Sequence, residues 1–392
     1  MKPGTDITVL DFSKLLPGPF CTMILADFGC RVIRVELPHW PDTLREYGPR
    51  IGGHGFCYWM ANRNKESLCL DFRKPAGLRV LAKLLAKADV LVEGFRPGLM
   101  GRLGLGPRAL LRRFPRLSYC SITGYGREGP LSRRAGHDIN FLAESGFLGA
   151  GDSNGEVSFP AAQVADLGGA TTAAAAILAA LLARATTGRG RRIEVSMTET
   201  AFSWLVLPLG FSFATGRPFD PAEHWWSGRH PFYRIYRTKD GRRLAVGALE
   251  RPLAVDLLRR IGRGDLVAAL DRADARGLDA IERELERAFL KRTLAHWRRK
   301  LGGSDVCVSP VRTVPEALGQ ARRSRGNAVV RLTRGKGLPY VRSPVLVGGK
   351  ELRLRRPPPA LGADNEAVLR SAGIGAAEIR RLKASGMLFS KS

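Results

Sequence analysis

Short apolar runs alternate with stretches whose apolar residues recur every three or four positions through roughly the first third of the chain. The runs "ITVLDF", "RVIRVE", "SLCLDF", "DVLVEGF" and "LSYCSITGYG" predict strands, and "PFCTMILADFG" and "GLRVLAKLLAKA" predict helices between them. That rhythm predicts a parallel sheet wound with helices. Such sheets bind ligands beyond the carboxyl ends of their strands, which singles out the loops after "VLVE" and "YCSITG".

An alanine-rich helix is predicted from Val164 to Ala185, opened by "ADLGG" and stopped by "TTGRGRR", where glycine ends it and arginines suit its negative end. The strand "RIEVSM" follows, then "TETAFSWLVLPLGFSFATG", which reads as a buried helix. A Pro-, Trp- and Gly-rich stretch, "RPFDPAEHWWSGRHP", reads as a linker. Beyond it "FYRIYRTKDGRRLAVGALE" predicts a hairpin with an Asp-Gly turn, succeeded by amphipathic helices from Pro252 to Leu301. The expected division is a large domain over residues 1–215, a linker at 216–230, a small α+β domain at 231–330, and a segment at 331–392 returning to the large domain.

Composition changes this picture little. Hydrophobic residues at 44% against 25% charged supply a core and exclude disorder as the theme of this 392-residue chain. The net charge of +27 raises nucleic-acid binding, since clustered cations release counterions from a phosphate backbone. The arginines are scattered, and no basic tail or zinc-finger spacing supports that reading over a generally basic surface that also draws small polyanions. The six cysteines show no CxxC pair or metal-ligand spacing, which predicts reduced thiols and no metal site. The opening "MKPGTDITVLDF" lacks an apolar signal core, and "AAAAILAALLA" is read as too short to span a bilayer, so a cytoplasmic protein without a membrane partner is expected.

Two acid/base candidates stand near predicted helix starts. Asp166 precedes Gly168 and Gly169, where backbone N–H groups and the positive helix end meet a carboxylate; by itself it reads as a helix cap. His137, in "AGHDIN", reads alone as a turn or cap residue, with Asp138 the helix cap beside it.

The ordered segments "PGPFCTMILADFG", "NRNKESLCLDF", "VLVEGFRPG", "GYGREGP", "AGHDINFLA", "ADLGG", "TGRGRRIEVSM", "CVSPV" and "PPALG" together resemble the class III CoA-transferase family, in its alpha-methylacyl-CoA racemase branch. The resemblance covers almost the whole chain. It implies an α/β fold with a Rossmann-like large domain built from both chain ends, a small α+β domain, and an interlocked, ring-like homodimer. It implies that Asp166 and His137 are the two proton carriers of a racemase acting at C2 of 2-methylacyl-CoA thioesters through an enolate, with Glu250 orienting the imidazole. Backbone N–H groups at the Asp166 helix start are then expected to stabilise the enolate. For the CoA moiety it implies Arg34, Asn62, Arg63, Lys65 and Arg96, with Cys69 and Leu70 flanking adenine and Tyr125 lining the pantetheine channel. No cofactor beyond the CoA of the substrate is expected. The alternative in the same family is a CoA-transferase passing the acyl group through an anhydride on Asp166; the small-domain stretch "WWSGRHPFYRIY" lacks the glycine-rich loop that such transferases carry.

Overall fold

The computed structural model describes residues 6–151, 157–323, 329–331 and 338–391. The chain forms two compact units, one of residues 1–147, 160–206 and 324–392, the other of residues 148–159 and 207–323.

The first unit is built on six parallel strands: β1 (Thr8–Asp11), β2 (Arg31–Glu36), β3 (Lys65–Cys69), β4 (Val90–Glu93), β5 (Ser118–Thr123) and β6 (Arg192–Ser196). Their order across the sheet is β3-β2-β1-β4-β5-β6. Central strands of a parallel sheet are covered on both faces, so they read as unbroken apolar runs; every residue of β4 and β5 is buried. The edge strand β6 instead alternates, with Arg192 and Glu194 facing out. The order reverses between β1 and β4, which puts a crevice at the carboxyl ends of those two strands.

Helix α1 (Pro17–Asp27) opens on proline, whose missing N–H costs nothing in a first turn, and α2 (Pro75–Leu85) buries Val80, Leu81, Leu84 and Leu85 on one stripe. After β5 come the short α3 (Asp138–Glu144) and the long α4 (Val164–Thr187). With 24 residues and a mean hydropathy of 1.6 over its best window, α4 has the length and composition to cross a membrane, which corrects the expectation that it is too short. Its small side chains pack instead against α1, α3, β5 and β6. The helix stops at Gly188, whose φ of +68° is accessible to glycine and whose N–H donates to the Arg184 carbonyl.

The stretch 198–216 is not one buried helix. It forms α5 (Met197–Ser203), which packs on α4, and α6 (Val206–Thr215), which buries no residue: Phe213 is 81% exposed and Val206 68%. Apolar composition signals a need for cover, and nothing among the described residues provides it here.

In the second unit β7 (Tyr233–Arg237) and β8 (Arg243–Gly247) form the antiparallel hairpin around Asp240-Gly241, and β9 (Val308–Pro310) pairs with β8. Helices α7 (Arg251–Ile261), α8 (Ala275–Leu290) and α9 (Leu294–Leu301) close a core of Phe232, Tyr236, Leu257, Leu285, Phe289 and Trp297. The chain then returns to the first unit as α10 (Asn365–Ser371) and α11 (Ala376–Ala384), whose Val368, Leu369, Ile379 and Leu382 share a core with Leu10, Ile33 and Leu91. The Asn365 side chain fastens this return by accepting the Cys69 N–H at 2.8 Å. Both chain ends therefore build the sheet unit.

Candidate active site

Two helix starts in the first unit carry the proton-transfer candidates. His137 is the N-cap of α3: its backbone is extended, its N–H donates to Asn140 Oδ1 at 3.0 Å, and its carbonyl accepts the Asn140 N–H at 2.8 Å. Those bonds anchor the backbone and leave the imidazole exposed. Asp166 lies in the first turn of α4, but Gln163 is the N-cap there, so the Asp166 carboxyl is not a cap.

Asp138 joins the two starts. It is the first residue of α3 and not its cap; its Oδ1 accepts the backbone N–H of Asp166 at 2.9 Å. Asp166 itself is half-buried, and burial together with the neighbouring Asp138 carboxylate raises its pKa to about 7. A carboxyl titrating there exchanges protons in both directions at neutral pH. The expected donors for an enolate are fewer than the helix start suggests, because the Asp166 N–H is taken by Asp138 and the Leu167 N–H by the Gln163 carbonyl.

Tyr125, in the loop after β5, is brought to the same place. Its ring meets Phe141 of α3 edge-on at 5.0 Å, and a Cβ on Gly136 would stand 2.6 Å from the Tyr125 hydroxyl oxygen. Glycine beside His137 thus lets the two segments close up. On the α4 side the Trp204 ring, half exposed, lies against Gly168, two residues from Asp166. The sequence reading missed Trp204; its one signal is a large apolar residue just past a helix end.

At the crevice between β1 and β4 three loops meet. Lys14 places its ammonium 3.4 Å from the Trp40 ring centre, and Trp40 lies 5.6 Å from Phe95. Leu15, next to Lys14, holds φ at +63°, a left-handed conformation that bulky residues avoid and that functional loops retain. Arg96, next to Phe95, is exposed and makes no ion pair among the described residues. Glu93 shapes this loop by accepting the Phe95 N–H at 2.8 Å and the Ser121 hydroxyl at 2.7 Å, and burial pushes its pKa up. Lys14 and Trp40 are absent from the sequence reading, although position after a parallel strand was a signal for both; Glu93, at the end of "VLVE", closes β4 itself.

The other expected phosphate ligands are inside the protein. Arg34 and Lys65 have no exposed surface and Asn62 is 1% exposed. Lys65 Nζ donates to Asp11 Oδ2 at 3.1 Å, to Asn62 Oδ1 at 2.9 Å and to the Pro19 carbonyl at 2.8 Å. Arg34 bonds Asp42 and Asn62 and lies 3.3 Å from Glu36, which also holds Arg45. Three cations, Arg34, Arg45 and Lys65, thus face three carboxylates, Asp11, Glu36 and Asp42. Arg63 pairs with Asp27, again buried. In this structure these groups lie buried among their ion-pair partners, beneath the loops. Cys69 and Leu70, expected to flank adenine, are likewise wholly buried, with Leu70 bridged to Leu388.

Glu250 belongs to the second unit. It is exposed, and its carbonyl accepts the Ala254 N–H at 3.0 Å as the N-cap residue of α7.

Comparison with known proteins agrees with this architecture. The model of CoA-transferase family III matches residues 5–365. The chain is 36% identical over 387 residues to the mouse alpha-methylacyl-CoA racemase, covering 96% of this chain and 95% of the relative. It is 29% identical to the mouse succinyl-CoA:glutarate CoA-transferase, over 94% of this chain and 86% of that one. Among solved structures, a CAIB/BAIF family protein from Brucella suis superposes with a TM-score of 0.81 at 26% identity, covering 95% of this chain and 100% of the other. The sheet order, the shared core of the two chain ends and this near full-length match lead to one conclusion: the chain belongs to CoA-transferase family III.

Proposed function

We propose that this protein is a racemase of 2-methylacyl-CoA thioesters that exchanges the C2 proton between Asp166 and His137. The observation carrying the reading is the pair of helix starts joined through Asp138, with a carboxyl that titrates near 7 on one and an exposed imidazole on the other. Inversion needs one group to take the proton from one face and another to return one on the opposite face. In one direction His137 is the base and Asp166 the acid; in the other the roles exchange. The similarity to the racemases supports isomerisation over acyl transfer.

In this reading the thioester lies across the α3 and α4 starts with its acyl group toward Trp204 and its pantetheine past Tyr125. Arg96, and Lys14 at the crevice, attract the CoA phosphates. Glu250 orients the imidazole, an assignment that rests on the family resemblance alone. The side chains carry the proton without a further cofactor, in a cytoplasmic homodimer of the interlocked kind. Support for the dimer is the uncovered apolar face of α6, with Leu207 51% exposed beside Val206 and Phe213.

The test is incubation with one 2-methylacyl-CoA stereoisomer in deuterated water, without a free acid. Deuterium at C2 with loss of optical purity is expected. Acyl transfer to an added acid, with no exchange at C2, would overturn the reading in favour of the transferase.

A further inference from the structure

We propose that Asp138 is a positioning residue for Asp166: from the start of a different helix its carboxylate fixes the Asp166 backbone by accepting the N–H at 2.9 Å, and so sets a negative charge beside the Asp166 side chain. The inference rests on the acid/base role proposed for Asp166.

The geometry separates Asp138 from an ordinary cap. Helix α3 is capped by His137, so Asp138 is not needed for its own helix. Gln163, the N-cap of α4, makes no side-chain bond to the first turn, and Asp138 supplies one from a different element. A neutral acceptor would satisfy that donor equally well; what the carboxylate adds is a negative charge against a second, half-buried carboxyl. Burial and, beside it, the Asp138 charge both favour the protonated Asp166 carboxyl, which is the form in which Asp166 donates to an enolate.

Besides Asp138, the titratable residues on elements packed against α4 are Glu144 of α3, Glu199 of α5, Cys21 and Asp27 of α1, Tyr119 and Cys120 of β5, and Arg192 and Glu194 of β6, with His137 ahead of α3. Asp138 is the one whose charge acts on Asp166, beside burial itself.

Three variants divide the bond from the charge. Asp138→Asn keeps an acceptor and removes the charge, Asp138→Glu keeps the charge, and Asp138→Ala removes both. The carboxyl carbon of Asp166 is followed by NMR in protein labelled at aspartate, its resonance identified by loss in Asp166→Asn. In the unmodified protein the midpoint is expected at about 7. In Asp138→Asn it should fall by about one pH unit or more, and in Asp138→Glu it should stay high. A midpoint unmoved in the folded Asn variant, confirmed by unchanged circular dichroism, overturns the proposal. If Asp138→Asn fails to fold, a high midpoint in Asp138→Glu together with a lowered one in Asp138→Ala supports it, and equal midpoints in those two overturn it. The midpoint is read without turnover, so its outcome is distinct from that of the exchange assay, in which an active Asp166→Asn protein would remove the acid/base role itself.

Discussion

Trp204 covers Gly168: a Cβ on that glycine would stand 2.6 Å from the far edge of the indole ring. A Cβ on the neighbouring Gly169 would stand 2.7 Å from Met197 Cγ, and Met197 is buried where Trp204 is half exposed. Gly168→Ala gains helix propensity of about 1 kcal/mol and displaces a ring that is free to swing outward, so its stability should change by less than about 1 kcal/mol. Gly169→Ala must displace a core side chain and should cost about 1–3 kcal/mol. Urea unfolding of the two variants measures the contrast. Gly168→Ala should also raise KM for branched acyl-CoA, since the displaced indole is the wall proposed to receive the acyl group.

Asp166 is held where its carboxylate is unfavourable, which predicts a trade between activity and stability. Its pKa rises from 3.8 to about 7, so the folded state binds the proton more tightly than the unfolded chain does. The resulting stabilisation is complete below about pH 4 and is lost as pH rises through 7. Asp166→Asn removes the penalty: at pH 8 it should be more stable than the parent by about 2–4 kcal/mol, with the difference vanishing near pH 4. Its C2 exchange should be abolished. Thermal unfolding across pH checks the first statement and deuterium incorporation the second.

Glu36 behaves in the opposite sense. Burial alone would raise its pKa, but Arg34 and Arg45 outweigh burial and hold it at about 2. Lowered below its unfolded value, Glu36 contributes stability that is present above about pH 4.5 and lost as pH falls toward 2, on the order of 3 kcal/mol. Glu36→Gln should therefore weaken the fold at pH 7 and flatten its acid limb, as followed by circular dichroism.

Lys65 and Arg96 are both cations near the crevice, and the structure predicts different phenotypes for them. Lys65→Met leaves Asp11 buried with Arg34 at 3.5 Å and two hydroxyl donors, Ser13 and Thr22, and should cost about 3–5 kcal/mol of stability. Arg96→Ala should leave unfolding unchanged, raise KM for CoA esters several-fold and alter kcat little, because a phosphate is held equally in ground and transition states. Equal use of pantetheine and full CoA esters by the parent protein would contradict the Arg96 prediction.

The strands and helices of the sheet unit were legible because their signal is local: unbroken apolar runs and helical stripes report how many faces of each element are covered. The family resemblance singled out Asp166 and His137, while tertiary structure alone joined them, through a hydrogen bond spanning 28 residues from Asp138. Likewise nothing local distinguishes Lys65, buried against Asp11 54 residues away, from the many solvated cations of this basic chain. Residue type predicts exposure for a lysine or arginine, and only a partner distant in sequence makes burial tolerable. The apolar helix α6 fails in the reverse direction, since composition records that a surface needs cover but not whether the chain supplies it. Sequence marked most of the elements, and the resemblance which side chains are candidates for proton transfer; packing decided which charges meet, and burial, with Asp138 beside it, sets the acidity of Asp166.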